Sequence, residues 1–338
     1  MKKTIKTERG SYDITVERGA LARAGELFDL NRRVLILSDD GVPDAYVQAI
    51  AAQCKAPTVV ILPQGEASKS LSSFEAVLRR MLDAGFVRTD ALVAVGGGVC
   101  GDLGGFVASA FMRGVDFYNI PTTVLSQVDS SIGGKVAVNF RGFKNMVGAF
   151  YPPKAVLVDP KVLDSLPKRQ IANGLAEAVK MALTFDKDFF ALFEEGDPME
   201  KIDLIIEKSL LAKKKVVEED EKEAGLRKVL NFGHTLAHAI ESESFRTSDP
   251  YYHGESVALG MIPMCSKKVR ERLVPVLEKL SLPTKWEGDR ESLVEALSHD
   301  KKMSGEDIIL VRVDEVGSFY MEKIPFRDFA EKVRGGKI

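Results

Sequence analysis

Two of the four histidines of the chain fall in one short stretch, Arg227–His238, which reads Arg-Lys-Val-Leu-Asn-Phe-Gly-His-Thr-Leu-Ala-His. His234 and His238 are four apart, so on a helix they share a face. A third, His253, follows in His-Gly-Glu, and the fourth, His299, lies in a different setting. Two imidazoles on one face with a third nearby is what a divalent metal would use. Catalytic zinc takes three protein ligands and keeps one position open. A carboxylate would complete the set, and Glu177 in Gly-Leu-Ala-Glu-Ala-Val-Lys is a candidate. Taken alone, such a histidine pair is more often structural than metallic. One histidine of the cluster can also bond substrate or move protons instead of binding metal.

A second kind of chemistry is anion binding. The apolar run Ala91–Val95 leads directly into Gly96-Gly97-Gly98. Strand, glycine loop, helix is how a parallel sheet presents a helix N-terminus to a phosphate. The triplet satisfies only part of the G-x-G-x-x-G fingerprint, and a tight turn explains it about as well. Asp129-Ser-Ser-Ile-Gly-Gly-Lys135 is a polar loop suited to an oxyanion, and Lys144-Asn145 repeats the theme. The competing explanation for each is a solvated turn.

These groups need elements to position them. In the first half, strands are expected at Ile14–Val16, Val34–Leu37, Thr58–Leu62, Ala91–Val95, Phe117–Ile120 and Ala155–Val158. Helical stretches between them are Asp44–Ala52, Ser70–Ala84, Leu103–Phe111 and Thr123–Val128. From Pro167 the pattern is helical: Lys168–Leu183, Asp188–Glu195, Lys201–Glu219, Arg227–Glu243, Glu255–Arg272, Pro275–Leu280, Arg290–Leu297 and Phe326–Val333. Ile308–Val313 with Gly317–Tyr320 suggests a small hairpin. The expected fold is an α/β N-terminal nucleotide-binding domain with a mostly parallel sheet, residues 1–166. A mainly α-helical domain, residues 167–338, follows it, with the active site in the cleft between them.

Bulk properties exclude several classes. With 338 residues, 45% hydrophobic and 28% charged, the composition is that of a globular protein. A net charge of −2 offers no basic footprint for nucleic acid. Three scattered cysteines, Cys54, Cys100 and Cys265, suggest a reducing compartment. Met1–Gly10 shows no secretory core, and the apolar runs are too short to span a bilayer. The expectation is a cytoplasmic protein with no membrane and no nucleic-acid partner.

In order along the chain stand Gly65-Glu66-x-x-Lys69-Ser70, Gly96-Gly97-Gly98-x-x-x-Asp102, Arg113-Gly114, Pro121-Thr122-Thr123 and Asp129–Lys135. Lys144-Asn145-Met146-x-Gly148, Gly174–Glu177, Arg227–His238 and His253-Gly254-Glu255 follow. Together they resemble the 3-dehydroquinate synthase family, over nearly the whole chain. The glycine triplet alone is shared with iron-type alcohol and glycerol dehydrogenases. The Asp-Ser-Ser-Ile-Gly-Gly-Lys loop combined with Asn-Phe-Gly-His is far more specific. The resemblance implies a dehydroquinate synthase-like fold, bound NAD, a divalent metal (zinc or cobalt) and a homodimer. It implies a phosphorus–oxygen lyase of the shikimate pathway, which leads to chorismate and aromatic amino acids. The implied substrate is 3-deoxy-D-arabino-heptulosonate 7-phosphate, converted to 3-dehydroquinate and phosphate. Transient oxidation by NAD, phosphate elimination, re-reduction, ring opening and aldol closure are the implied steps.

By that resemblance Glu177, His234 and His253 are the metal ligands, and His238 bonds substrate. Lys213 and Arg227 go to the substrate carboxylate; Lys135, Asn145 and Lys301 or Lys302 go to its phosphate. Lys180 adds a further cation, Asp129 and Asn231 bond hydroxyls, and Arg113 comes from a second subunit. Asp39, Glu66, Lys69, Gly97, Gly98, Asp102, Thr122, Thr123, Lys135, Lys144 and Ser165 hold NAD. Ser165 stands where the family often has Thr, which keeps the hydroxyl. A sibling cyclase acting on another sugar phosphate, a polyol dehydrogenase and a non-catalytic nucleotide-binding module are the competing readings. Lys213, Arg227 and the Asp129–Lys135 loop favour an acidic substrate over that of a sibling cyclase. A dehydrogenase would form net NADH and leaves so many anion-binding residues unexplained, and a non-catalytic module does not account for the intact ligand set.

Overall fold

The structure, a computed structural model, describes residues 1–8, 10–299 and 307–336. Lys301 and Lys302 lie outside the described residues. The chain forms two compact units, Met1–Pro167 and Lys168–Ile338.

The first unit is built on a sheet of strands β1 (Lys2–Thr7), β2 (Gly10–Val16), β3 (Arg33–Asp39), β4 (Ala56–Leu62), β5 (Ala91–Gly96), β6 (Asp116–Pro121) and β9 (Ala155–Val158). A separate hairpin pairs β7 (Lys135–Phe140) with β8 (Phe143–Phe150). The sheet order is β1-β2-β9-β6-β5-β3-β4, parallel except for the β1–β2 pair. Helices α1 (Ala24–Leu27), α2 (Asp44–Ala51), α3 (Leu71–Asp83) and α4 (Gly98–Ala110) belong to the same unit. Alternation along β3 explains the layering. Val34 and Ile36 enter one core with Val47 and Ile50 of α2, whereas Leu35 and Leu37 enter the other with Val77 of α3 and Leu103 of α4. After β3 the chain steps outward to β4, then returns to place β5 on the other side of β3. The carboxyl ends of β3 and β5 therefore form the topological switch point, where an open parallel sheet binds ligands.

The strand and helix expectations need correction at three places. Ile14–Val16 is the end of a longer strand in an antiparallel hairpin with β1. Only Ile5 of β1 is buried, so its sequence shows little alternation. The helix expected at Leu103–Phe111 starts five residues earlier, at Gly98. Thr123–Val128 is helical from Val124 as expected, and the helix widens to π geometry at Ser126–Ser130. Lys135, expected in a polar loop, opens β7. Arg141 and Gly142 both take positive φ, at 48° and 83°, as a two-residue type I′ turn requires.

The second unit contains α5 (Lys168–Phe185), α6 (Lys187–Glu194), α7 (Ile202–Glu219), α8 (His234–Ser244), α9 (His253–Met261), α10 (Lys267–Lys279), α11 (Arg290–His299) and α12 (Phe326–Arg334). Strands β10 (Asp307–Arg312) and β11 (Tyr320–Pro325) pair antiparallel, so the expected Gly317–Tyr320 strand is mostly connection. From Ala172 to Thr184 every residue of α5 is buried, which makes it the central helix. It packs against α6, α7 and α9.

Arg227–Glu243, expected as one helix, is broken. A 3-10 turn at Leu226–Asn231 precedes Gly233 at φ 79°, and α8 begins at His234. Likewise Glu255–Arg272 divides into α9, a turn at Ile262–Met264 and α10, which starts at the Ser266 cap. Pro275 sits inside α10 rather than opening a helix of its own, at the loss of one backbone hydrogen bond.

Glycine makes the α8–α9 pairing possible. A Cβ on Gly260 would lie 2.1 Å from the Gly233 carbonyl oxygen, and backbone cannot yield as a side chain can. Gly260→Ala is accordingly expected to cost about 1–3 kcal/mol, read as a lowered urea midpoint. An unchanged midpoint would contradict this account of the packing.

Candidate functional site

Helix α5 carries Glu177, α8 starts with His234 and α9 starts with His253. Glu177 is 1% exposed. Its Oε1 is 3.5 Å from His234 Nε2 and 3.4 Å from His253 Nε2. One ligand atom from each residue lies within 4.8 Å of the other two. Tetrahedral zinc with ligands near 2.0–2.1 Å separates neighbouring ligand atoms by about 3.3 Å, so the two measured edges fit such an ion. Neither carboxylate oxygen of Glu177 has a well-formed hydrogen bond, although both are sealed from solvent. The donor set and the sealed Oε1 facing two imidazole nitrogens both suit a divalent cation.

Surrounding groups orient the triad. His234 Nδ1 lies 3.1 Å from the Phe232 carbonyl oxygen, which puts the ring proton on Nδ1 and leaves Nε2 with a lone pair facing Glu177. Glu241 Oε2 lies 3.6 Å from His253 Nδ1. Lys180 Nζ sits 2.5 Å from Glu177 Oε2 and donates to the Leu230 carbonyl oxygen at 2.7 Å. The ring of His238 stands edge-on to His234 at 5.5 Å and 6.3 Å from His253, outside the ligand set.

These contacts shift the titrations. Burial acts to raise the Glu177 carboxyl, but Lys180, then His234 and His253, hold it well below the usual carboxylate range. Burial and Lys180 hold the His234 imidazole well below its ordinary value against the pull of Glu177. Burial also disfavours a charged His253, but its contacts with Glu177 and Glu241 prevail and push it up to about 9.

The same unit carries further buried cations. Arg227, 3% exposed, donates through Nη1 to the Glu221 carbonyl oxygen. Asp220 folds the segment before it, accepting from the backbone N–H groups of Ala224, Gly225 and Arg227 at 2.7–2.9 Å. Asn231 Nδ2 donates to Glu223 Oε1 at 2.5 Å. Lys213 is buried on α7, which packs on the 3-10 turn bearing Arg227 and Asn231.

Within the first unit, Asp39, Gly97 and Gly98 stand at the switch point, and the other expected residues are spread over the elements around it. Asp39 ends β3, and its Oδ1 accepts from Gly41 N at 3.0 Å. Gly97 precedes α4 and Gly98 opens it. Lys69, 5% exposed, donates to Asp102 Oδ2 at 2.5 Å and to Asn145 Oδ1. Glu66 Oε1 accepts from Asn139 at 2.8 Å. Thr122 N donates to the Gly96 carbonyl oxygen at 2.9 Å, and Thr123 Oγ1 lies 2.8 Å from Ser126 Oγ. Asp129 is in the π turn, and Lys135 and Lys144 are exposed on the β7–β8 hairpin. Ser165 Oγ lies 3.1 Å from Tyr46 Oη. Arg113 is exposed beyond the last turn of α4, roughly 20 Å along its axis from Gly98.

The chain matches the family models described as 3-dehydroquinate synthase N-terminal, over residues 59–173, and 3-dehydroquinate synthase C-terminal, over residues 174–303. A 3-dehydroquinate synthase of Streptococcus suis (strain 05ZYH33) is 40% identical over 98% of this chain and 99% of its own. The chain belongs to the 3-dehydroquinate synthase family. Solved structures extend the family's fold to sibling cyclases. The structure of 2-deoxy-scyllo-inosose synthase with carbaglucose-6-phosphate, NAD+ and Co2+ is 25% identical, with a TM-score of 0.86 over 99% of this chain and 100% of that one. That of 2-epi-5-epi-valiolone synthase from Streptomyces hygroscopicus subsp. jinggangensis 5008, with NAD+ and Zn2+, is also 25% identical, with a TM-score of 0.87 over 98% of each chain.

Several contacts in this 3-dehydroquinate synthase family member escaped the sequence reading. Cys100 Sγ donates to Asp39 Oδ2 at 3.1 Å, and Asn139 ties Glu66 to the backbone N–H of Asn145. Nothing in spacing joins these positions. Glu241 was within reach, since it lies seven residues after His234 and so on the same helical face.

A cation entering the triad must displace the His253 proton. Zinc binding to the metal-free protein at pH 7 is expected to release about one proton, because a group titrating at about 9 is protonated there. Calorimetry in buffers of different ionisation enthalpy measures it. Affinity should climb as pH rises toward 9 and decline as it falls; zero proton release at pH 7 would contradict the assignment.

Proposed function

We propose that the chain is a 3-dehydroquinate synthase, a phosphorus–oxygen lyase that converts 3-deoxy-D-arabino-heptulosonate 7-phosphate to 3-dehydroquinate and phosphate. The observation that carries this reading is the convergence of Glu177, His234 and His253 in a chain 40% identical to such synthases along nearly its full length. The unit Met1–Pro167 would hold NAD, and Lys168–Ile338 the metal and much of the substrate. When bound, NAD supplies a reversible hydride acceptor and the divalent metal, zinc or cobalt, supplies Lewis acidity toward a substrate hydroxyl.

The protein's own groups have distinct tasks. Glu177, His234 and His253 would hold the metal, with Lys180 balancing the buried carboxylate. Arg227 and Lys213 are buried cations fit to grip the substrate carboxylate, which arginine can do bidentately. Lys135 and Asn145 suit the phosphate, and Asp129 and Asn231 the hydroxyls. His238, half-buried beside the triad, can bond a substrate hydroxyl and carry its proton. Asp39 at the switch point suits the adenosine ribose, and Gly97-Gly98 at the start of α4 suits the pyrophosphate. Glu66, Lys69, Asp102, Thr122, Thr123, Lys144 and Ser165 would complete the dinucleotide site. A homodimer that donates Arg113 fits its exposed position away from Gly97-Gly98. Cytoplasmic residence fits the three free cysteines, and no helix among the described residues is long and apolar enough to cross a membrane.

A sibling cyclase is the second reading, supported by the 25% identical neighbours. The buried Arg227 and Lys213 favour an acidic sugar phosphate over a neutral one. Incubation with the heptulosonate phosphate should release phosphate without net NADH. A chelator should abolish release, and zinc or cobalt should restore it. Steady NADH accumulation without phosphate would instead support a dehydrogenase.

Variants separate the roles. His253→Ala should lose metal and activity yet remain folded. Arg227→Ala should keep metal and weaken substrate binding by roughly 10–100-fold, the cost of a charge-assisted contact of about 1.5–3 kcal/mol. Unchanged substrate affinity would remove Arg227 from the carboxylate site.

A further inference from the structure

One face of α5 carries Arg169, Asn173 and Glu177, at i, i+4 and i+8. All three meet the same short segment, residues 249–255. Glu177 Oε1 faces His253 Nε2 at 3.4 Å, and Asn173 Oδ1 accepts from Gly254 N at 2.6 Å. Arg169 makes the most contacts. Its Nε and Nη2 donate to the two oxygens of Glu255 at 2.7 and 2.9 Å. Its Nη1 donates to Asp249 Oδ1 at 2.6 Å, and Nη2 also to the Pro250 carbonyl oxygen at 3.0 Å. The guanidinium lies over the Tyr252 ring at 4.4 Å. Glu255 Oε2 in turn accepts from Tyr252 N at 2.7 Å.

We propose that Arg169 is a positioning residue for the metal site: it clamps the segment from Asp249 to Glu255 onto α5 and thereby sets where His253 stands against Glu177. The inference rests on the metal reading given above. His253 is the first residue of α9, so no preceding helical turn fixes it. The loop before it, Ser-Asp-Pro-Tyr-Tyr, has no regular structure of its own. A fork of fixed geometry that binds a carboxylate, a carbonyl and a ring on both sides of His253 removes that freedom. Lysine cannot replace it, because a single ammonium can neither bond Glu255 bidentately nor stack on Tyr252. The Arg169 side chain is 38% exposed, so the clamp should matter more for the position of His253 than for global stability.

The test uses the full-length, metal-stripped protein with zinc and cobalt as probes. Zinc affinity is measured by competition with a chromophoric chelator, and the visible spectrum of the cobalt form reports ligand geometry. Arg169→Lys, Arg169→Ala and Glu255→Gln are each expected to weaken zinc binding by roughly 10–100-fold and to shift the cobalt bands, with NAD affinity unchanged. The double variant R169A/E255Q should lose little more than Arg169→Ala alone, since Arg169→Ala already removes the linkage to Glu255. Glu177→Gln serves as the control. If Glu177→Gln loses zinc while the Arg169 variants keep wild-type affinity and spectrum, the clamp is refuted and the metal reading stands. If Glu177→Gln also binds zinc like the wild type, the metal reading fails and the clamp with it. If Arg169→Lys and Glu255→Gln lose zinc only in step with their urea midpoints, the role is structural and the proposal is overturned.

Discussion

A carboxylate with no access to water is the constraint around which the second unit is arranged. Glu177 sits in the fully buried run of α5, where an unpaired charge would be several kcal/mol too costly to keep. Lys180, one turn on, supplies the opposite charge to one oxygen. The other oxygen faces two imidazole nitrogens at nearly equal distance. In the metal-free chain a proton on His253 serves as the remaining counter-charge. The proposed cation would take the place of that proton. Electrostatic balance and ligand geometry thus place the same demand on the same three side chains.

That balance requires three helices to approach closely, and glycine permits it. Gly233 turns the chain at positive φ just before His234, and Gly260 lies against its carbonyl. Gly254 presses on the backbone of Asn173, where a Cβ would come within 1.9 Å of its carbonyl oxygen. Side chains at any of these positions would push α8 and α9 away from each other or from α5. The polar contacts then choose the register. Arg169, Asn173 and Glu177 meet the start of α9 at successive turns of one helix, so a slip of one residue would break all three contacts together.

In the first unit the determining feature is topological. Reversal of strand order between β3 and β5 sets their carboxyl ends side by side, with Asp39 at the end of β3 and the Gly96–Gly98 triplet leading from β5 into α4. Lys69 joins three pieces far apart in sequence: the turn after β4, helix α4 and the β7–β8 hairpin. One buried ammonium with two oxygen partners thereby sets the hairpin that carries Lys135, Lys144 and Asn145 in fixed relation to the proposed dinucleotide site.

Much of this was legible in the chain itself. The buried strands read clearly because Val34–Leu37 and Ala91–Val95 are continuous apolar runs, and α5 because its apolar positions are dense. Motif order carried the family and the proposed ligand set. Hairpins were poorly legible: β1 buries one side chain, and Arg141-Gly142 is a weak turn signal. The break before His234 was also hidden, since apolar spacing continues through Asn231-Phe232-Gly233, whereas in the fold Gly233 turns the chain at φ 79° against Met261. By itself the sequence determined which residue types are present and in what local periodicity, because each depends only on near neighbours along the chain. Tertiary structure alone decided that Glu177 faces two imidazoles, that Cys100 bonds Asp39 and that Arg169 binds Glu255. Those pairings join groups separated by up to 86 positions, and only the packing of the helices and strands that bear them brings the partners within reach.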